Sequence, residues 1–377
     1  MNKMNDVLQL ISQAQKPIFY CGGGIAKCGS DVLYKLVKLT NFPITTTLMG
    51  LGNYPADEKE NLQMLGMHGS YEANMAMYEC DLMIAIGVRF DDRITGKLEK
   101  FSPNSQKIHI DIDSKEFNKN VKVAITIKQD AVLFLNDLYE LLLKNQHKIK
   151  NISTWWQQIE QWRSVDSFAY NQDFNKTILP QFALDTLYKK TKHKEPFFVT
   201  DVGQHQMWAA QYCKVNKPKR FISSSGLGTM GFGLPAAIGM QVANKDDTIV
   251  LITGDGSFMM TMNEMAVIKK YKLPIKIVLL NNSNLGMVRQ WQEMFFDKNF
   301  SEVFLKQSNP NFVNLAQSFD IKARKVSNAK EVENAIIEMI NHNDAYLLEI
   351  VVSGEENVYP MIPSGKGHNE VILRSSC

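Results

Sequence analysis

The sequence predicts an α/β protein made of two doubly wound parallel-sheet domains, and three observations carry that reading. Short apolar runs of strand length recur along the chain, separated by stretches of helical length and periodicity. Alternation of this kind implies right-handed βαβ crossovers, which build parallel sheets. The alternation is interrupted once by a polar stretch and then resumes, and a length of 377 residues suits two domains that each have a core.

Taken in order, the first domain covers residues 1–145. Its expected strands are Pro17-Ile18-Phe19-Tyr20 and residues 43–47, 82–86 and 107–112. Residues 146–180 read as a connector. They are largely polar, contain Trp155, Trp156 and Trp162 on one amphipathic helix, and break at Asn171-Gln172-Asp173 and Pro180. The second domain covers residues 181–377, with expected strands at residues 197–200, 248–253, 275–280 and 346–352. The halves share an architecture without a residue-level repeat.

Composition excludes several function classes. Hydrophobic residues make up 45% and charged residues 21%, and the net charge is +3 from 42 basic and 39 acidic side chains, so nothing favours nucleic acid. The cluster Lys189-Lys190-Thr191-Lys192-His193-Lys194 reads as a solvated helix end, where cations complement the macrodipole. The five cysteines, Cys21, Cys28, Cys80, Cys213 and Cys377, are widely spaced without a Cys-x-x-Cys pair. Neither a disulfide framework nor a zinc site is expected, and a reducing compartment fits. The N-terminus lacks an apolar signal core, and the longest apolar runs fall far short of the ~20 residues that cross a bilayer. A cytoplasmic protein without a membrane segment is the expectation.

The chemistry is concentrated in the second domain. The strand Thr248-Ile249-Val250-Leu251-Ile252-Thr253 runs into Gly254-Asp255-Gly256-Ser257, and residues 258–271 read as a helix with Met259, Met262 and Ala266 on one face. Glycines let the main chain approach phosphate oxygens, and a helix start presents unpaired N–H groups to them. The dipole contributes only about 0.3 to 2 kcal/mol to an anion, too little to anchor a diphosphate against water, so a cation is needed. A second apolar strand ends in Asn281-Asn282. Magnesium takes oxygens in a near-octahedral array. Asp255, the Asn282 amide oxygen and the Asn284 main-chain carbonyl supply three, with diphosphate and water completing the set. Gly-Asp-Gly-Ser alone also reads as a plain strand-to-helix turn; the Asn-Asn strand end favours the metal.

Residues 254–282 resemble the thiamine-diphosphate motif, which opens with Gly-Asp-Gly and closes with Asn-Asn. Flanking segments narrow the likeness. Asp201-Val202-Gly203-Gln204-His205-Gln206-Met207-Trp208, Gly226-Leu227-Gly228-Thr229-Met230-Gly231-Phe232-Gly233-Leu234-Pro235, Gly286-Met287-Val288-Arg289-Gln290-Trp291 and Tyr359-Pro360-Met361 resemble the large catalytic subunit of acetolactate synthase, over essentially the whole chain. The resemblance implies thiamine diphosphate held by Gly203, Gln204, His205, Gly228, Met230, Gly254, Asp255, Gly256, Ser257, Asn282 and Gly286, with Mg2+ on Asp255, Asn282 and Asn284. Gly203, Gln204 and His205 follow a strand and are expected to place neutral donors on the terminal phosphate, although His205 also fits a satisfied core histidine. Met230 is implied as the apolar wedge that bends the cofactor, against a reading as core filler. Met287 and Trp291 are implied to line the route to the active centre, although four residues is also plain helix-face spacing.

In the first domain Gly22-Gly23-Gly24 follows a strand, so its N–H groups are candidates for a phosphate. A dinucleotide fingerprint would need a third spaced glycine where Lys27 stands, and an acid at the end of the next strand, which reads Thr45-Thr46-Thr47, so NAD is discounted. Leu65-Gly66-Met67-His68-Gly69 and Gly87-Val88-Arg89-Phe90-Asp91-Asp92-Arg93 resemble the flavin-binding segments of the acetolactate synthase middle domain. The likeness implies FAD, without net redox work, on Gly22, Gly23, Gly24, Thr47, Leu65, Gly66, Met67, His68, Gly87, Arg89, Asp91, Arg93, Asp111 and Asp130. Asp91-Asp92-Arg93 also reads as a surface ion-pair loop.

The family relation implies condensation of two pyruvates, or of pyruvate with 2-oxobutyrate, with loss of CO2, in valine, leucine and isoleucine biosynthesis. It also implies a homodimer or larger assembly and a regulatory small subunit. The glutamate that activates the cofactor belongs in the family to an N-terminal pyrimidine-binding domain, and no acid here, including Glu58, Glu60 and Glu72, matches it. The expectation is a C-terminal portion inactive without a separately supplied N-terminal domain. Two other readings are a non-catalytic cofactor-binding or dimerising fragment and another thiamine-diphosphate-dependent decarboxylase or oxidase.

Overall fold

Both sheets of the protein are wholly parallel, as the crossover pattern requires. The computed structural model describes residues 3–25 and 27–374, and the chain divides into two compact units. Ala26 and Cys377 lie outside the described residues.

The first unit comprises residues up to 169, residues 215–219 and the tail from 359. Its strands are β1 (Pro17–Cys21), β2 (Ile44–Thr46), β3 (Asn61–Met64), β4 (Leu82–Ile86), β5 (Gln106–Asp111) and β6 (Ile125–Lys128). They lie in the order β3-β2-β1-β4-β5-β6. Every residue of β1 and β4 is buried, which is why those strands read as unbroken apolar runs. The edge strands β3 and β6 add to the four expected strands. Asn61-Leu62-Gln63-Met64 and Ile125-Thr126-Ile127-Lys128 pair on one side only and need no apolar run. The helix Ser30–Thr40 packs Val32, Leu33, Leu36 and Val37 inward and ends at Asn41, whose left-handed backbone returns its N–H to the Val37 carbonyl.

The tryptophan helix, Ser153–Arg163, forms as expected, but it is part of this unit's core. Trp155 and Trp156 are buried, and their indole N–H groups donate to the carbonyls of Pro17 at 3.1 Å and Asn41 at 2.9 Å. Two satisfied indoles make the stretch a packed element. The expected 146–180 connector and 181–377 domain are thus corrected: the first unit extends to residue 169 and takes the C-terminal tail from 359.

The second unit comprises residues 170–214 and 220–358. Its strands are β7 (Phe197–Thr200), β8 (Phe221–Ser223), β9 (Ile249–Gly254), β10 (Lys276–Asn281), β11 (Lys322–Val326) and β12 (Tyr346–Val351), ordered β11-β12-β10-β9-β7-β8. The edge strands β8 and β11 were again not expected. In β11, Arg324 pairs with Glu331 and Glu338, and charges of this kind blunt an open sheet edge. The helix expected at residues 258–271 starts earlier and is broken. It runs Asp255–Thr261, passes through a 3-10 turn at Met262–Glu264 and resumes at Met265–Tyr271. Thr261 stands at the break, its hydroxyl donating to the Gly231 carbonyl at 3.0 Å. Among the described residues no helix is long and apolar enough to cross a membrane. Cys21, Cys80 and Cys213 are buried free thiols, and Cys28 is an exposed one.

Candidate functional site

In the second unit the chain leaves β7 for β8 on one side, while the next strand, β9, packs on the other. A crevice opens beyond the carboxyl ends at such a switch point. Gly203, Gln204 and His205 follow β7, and Asp255 follows β9. Gly254 pairs in register with Leu280, so Asp255 and the Asn281-Asn282 end of β10 stand side by side.

Asp255 is 1% exposed, and burial pushes its carboxyl up to about 6, because the charged form loses hydration. The Asn309 side-chain N–H donates to Asp255 Oδ2 at 2.6 Å. Asn282 Nδ2 donates to Gln204 Oε1 at 3.3 Å, and its Oδ1 accepts from the Asn284 main-chain N–H at 3.0 Å. The turn carrying Asn284 is pinned on both sides, by Leu285 N–H to the Val303 carbonyl and Leu305 N–H to the Ser283 carbonyl, each at 2.8 Å. Among the described residues no group of three His, Cys, Asp or Glu side chains could hold a metal. A cation here would instead meet one carboxylate, one amide oxygen and one main-chain carbonyl, all hard oxygen donors of the kind magnesium takes.

In the same cavity the His205 ring lies against bare main chain. A Cβ on Gly203 would stand 2.9 Å from His205 Cε1, and one on Gly254 would stand 2.8 Å from Nδ1, so the ring fits only beside glycines. Burial pushes the imidazole down to about 3, which leaves it neutral at neutral pH. Its Nε2 is buried without a hydrogen-bond partner, and so is Trp208 Nε1. Both residues line a cavity of about 90 Å³ with Met230, Asp255, Asn282 and Gly286. An unsatisfied buried polar atom costs about 1–3 kcal/mol, so two in one cavity fit a polar guest that completes them.

The Gln204 side chain is engaged within the protein. Its side-chain N–H groups donate to Gln290 Oε1 and the Glu356 carbonyl, both at 2.9 Å, and its Oε1 accepts from Asn282. The Ser257 hydroxyl is likewise engaged, donating to the Val202 carbonyl at 2.8 Å and tying the two sides of the crevice. Met230 and Met287 reach the cavity, and Met230 Cε lies 3.7 Å from where a Gly256 Cβ would be. Trp291 is not among the lining residues; it packs on Phe295 with ring centroids 5.1 Å apart. Gly228 meets nothing within 4 Å, and its φ of 65° accounts for the glycine. Sequence reasoning gave no individual role to three residues that build the site. Asp201 accepts from Gly231 and Gly233 N–H at 2.8 and 3.2 Å, which fastens the glycine segment to the end of β7. Asn309 and Trp208 are the others, and no spacing signal marks Asn309.

In the first unit the residues expected around a flavin follow the carboxyl edge of the sheet, from Gly66 after β3 and Thr47 after β2 through Gly22 after β1 and Gly87 after β4 to Asp111 on β5 and Asp130 after β6. Gly22 N–H donates to the Ile86 carbonyl and Gly24 N–H to the Gly87 carbonyl, so two of the three amides expected for a phosphate are already used. These glycines exist for close backbone approach: a Cβ on Gly22 would stand 2.2 Å from Gly87 O. Gly23 keeps its amide out of these bonds. Asp130 caps the helix Ala131–Lys144 by accepting from Val132 and Leu133 N–H. Thr47 Oγ1 accepts from Gly50 N–H, and Asp111 Oδ1 from Asp113 N–H. Arg89 pairs with Asp91 and Arg93 with Asp92, all exposed, as a surface ion-pair loop would. Met67 and Arg93 line a small cavity with Ile362 and His368 of the tail, and Leu65 is buried. His68 is held by the Pro360 carbonyl at 3.2 Å, and burial pushes its ring down to about 4.

Two family models match the chain. The thiamine pyrophosphate enzyme central domain covers residues 4–138, and the thiamine pyrophosphate enzyme C-terminal TPP binding domain covers residues 201–350. With the switch-point crevice and its oxygen donors, this defines the class: the chain belongs to the thiamine pyrophosphate enzymes. Within that class it is a homologue of acetolactate synthase large subunits. It is 44% identical to acetolactate synthase 1, chloroplastic, of Oryza sativa subsp. japonica, over 98% of this chain and 58% of the relative. Identity is 42% to the acetolactate synthase large subunit of Buchnera aphidicola subsp. Schizaphis graminum, over 99% and 65%. It is 44% to the isozyme 2 large subunit of Escherichia coli K12, over 98% and 65%. The chain thus spans between 58% and 65% of the length of these relatives.

Proposed function

We propose that this chain holds the diphosphate end of thiamine diphosphate through Mg2+ and serves the acetolactate synthase reaction. In that reaction two pyruvates, or pyruvate and 2-oxobutyrate, condense with loss of CO2 on the way to branched-chain amino acids. The observation that carries the proposal is Asp255 standing beside Asn282 at adjacent strand ends, in one cavity with the partnerless ring nitrogens of His205 and Trp208. Asp255, Asn282 and the Asn284 carbonyl would hold the metal. His205 and Trp208 would meet polar oxygens of the guest, and Gly203 and Gly254 leave room for the imidazole. Met230 and Met287 keep the adjoining wall apolar and exclude water from it. When bound, thiamine diphosphate supplies the electron sink for decarboxylation, and the protein supplies position and electrostatics.

The whole-enzyme reaction is proposed from the relatives, of whose length this chain spans 58% to 65%. FAD on the carboxyl edge of the first sheet, a homo-oligomer, a regulatory small subunit and a cytoplasmic location complete the proposal. The FAD part draws on the row of residues from Gly66 to Asp130 along the carboxyl ends of the first sheet.

Calorimetric titration of the chain with thiamine diphosphate, with and without Mg2+, tests this reading. Saturable binding that needs Mg2+ and is lost in Asp255→Ala is expected. Binding indifferent to both would overturn it.

A further inference from the structure

The core of the second sheet contains a carboxylate that the site above does not use. Glu349, near the middle of β12, is 2% exposed and flanked by buried Leu348 and Ile350. A buried carboxylate persists only when paired and hydrogen-bonded, and apolar residues would fill the same space at least as stably. Its Oε1 accepts from Asn281 Nδ2 at 2.8 Å and lies 3.3 Å from Lys325 Nζ. Glu349 pairs in register with Leu279 of β10, so Asn281, two residues on, leans over the same face.

Asn281 relays this contact outward. Its Oδ1 accepts from the Ser283 N–H at 3.0 Å and from Ser283 Oγ at 3.2 Å. Ser283 has φ 56°, a left-handed conformation that costs a non-glycine residue energy. On either side of it stand Asn282 and Asn284, which carry the amide and carbonyl oxygens assigned to the metal. A carboxylate only accepts, so it forces the Asn281 NH2 toward β12 and the carbonyl oxygen toward Ser283. With an apolar residue at 349 the amide is free to turn over and face the Ser283 N–H with a donor.

We propose that Glu349 and Asn281 are positioning residues that hold Ser283 left-handed and thereby aim Asn282 and Asn284 at the cation. This rests on the metal–diphosphate reading of Asp255 and Asn282. The pair touches no substrate. It acts through the turn, much as outer-shell partners tune metal sites elsewhere.

The test is Mn2+ binding to the purified chain with saturating thiamine diphosphate, followed by electron paramagnetic resonance, with the ligand-free melting temperature of each variant as a fold control. Asn281→Leu is expected to weaken Mn2+ binding by about 10- to 100-fold. Glu349→Leu should act in the same direction, and Glu349→Gln, which keeps an acceptor for Asn281, should stay close to the parent. Ser283→Gly added to Asn281→Leu is expected to restore most of the lost affinity, because glycine takes the left-handed conformation unaided. Merely structural damage would not be rescued that way. Parent-like Mn2+ affinity in both leucine variants, or no rescue by Ser283→Gly, would overturn the relay. A parent chain that binds no Mn2+ with thiamine diphosphate would instead overturn the underlying reading of the site. Should Asn281→Leu fail to melt cooperatively, Glu349→Leu against Glu349→Gln decides.

Discussion

A Cβ on Gly286 would stand 2.1 Å from Gln204 Oε1 and 2.7 Å from Asn282 Nδ2, closer than any real contact permits. Gly286→Ala must therefore displace the amide pair that orients Asn282. We expect it to cost about 1–3 kcal/mol of stability, as overpacking does, and to weaken Mg2+-dependent cofactor binding by at least tenfold, read by urea denaturation and calorimetry. Unchanged binding would mean that the Gln204–Asn282 pair does not orient the site. At this scale the sequence was legible where a functional group sits at a strand end: Asp255 and Asn282 stand where the pattern placed them. It was not legible where a role depends on distant partners. The side-chain N–H groups of Gln204 go to Gln290 and Glu356, far along the chain, contacts that no spacing announces. Asn309 lies in a loop that no periodicity marks, and only folding brings it to Asp255.

Among the elements, interior strands were legible and edges were not. β1, β4, β9 and β10 are buried throughout, and burial on both faces writes an apolar run into the sequence. β3, β6, β8 and β11 close the sheets at their edges and carry polar or charged residues. The helix Ser153–Arg163 was legible as a helix, but its placement was not, because its polar face dominates its composition. Trp156→Ala should destabilise the first unit by about 3–5 kcal/mol, leaving an empty indole site and the Asn41 carbonyl without its donor. A urea midpoint close to that of the parent would show that this helix does not hold the first unit together.

For each unit as a whole, the doubly wound order decides where chemistry sits. In both sheets the singled-out residues lie at carboxyl ends around a switch point, between β1 and β4 and between β7 and β9. The buried histidines also make stability depend on pH. His205 is lowered to about 3, and His68 and His368 to about 4. Unfolding lets each take up a proton below its ordinary value near 6.5, so their contribution is complete above that pH. It falls as acid is added, by about 1.4 kcal/mol per unit for each ring. Asp255, raised to about 6, acts with the opposite sign, because its folded form binds a proton before the unfolded chain does. The informative quantity is therefore a difference. Between pH 6.5 and 4, His205→Gln should lose less stability per pH unit than the parent, and parallel curves would contradict a buried neutral ring.

The central claim is that Asp255, Asn282 and Asn284 hold the metal of a thiamine-diphosphate site. An anomalous difference map from crystals grown with Mn2+ and thiamine diphosphate tests it most directly. The account predicts a single strong peak beside the Asp255 carboxylate, the Asn282 amide oxygen and the Asn284 carbonyl, about 2.1 Å from each as for an octahedral hard cation, with the diphosphate between it and His205. A peak elsewhere, or a diphosphate bound with no metal at these three oxygens, would contradict it.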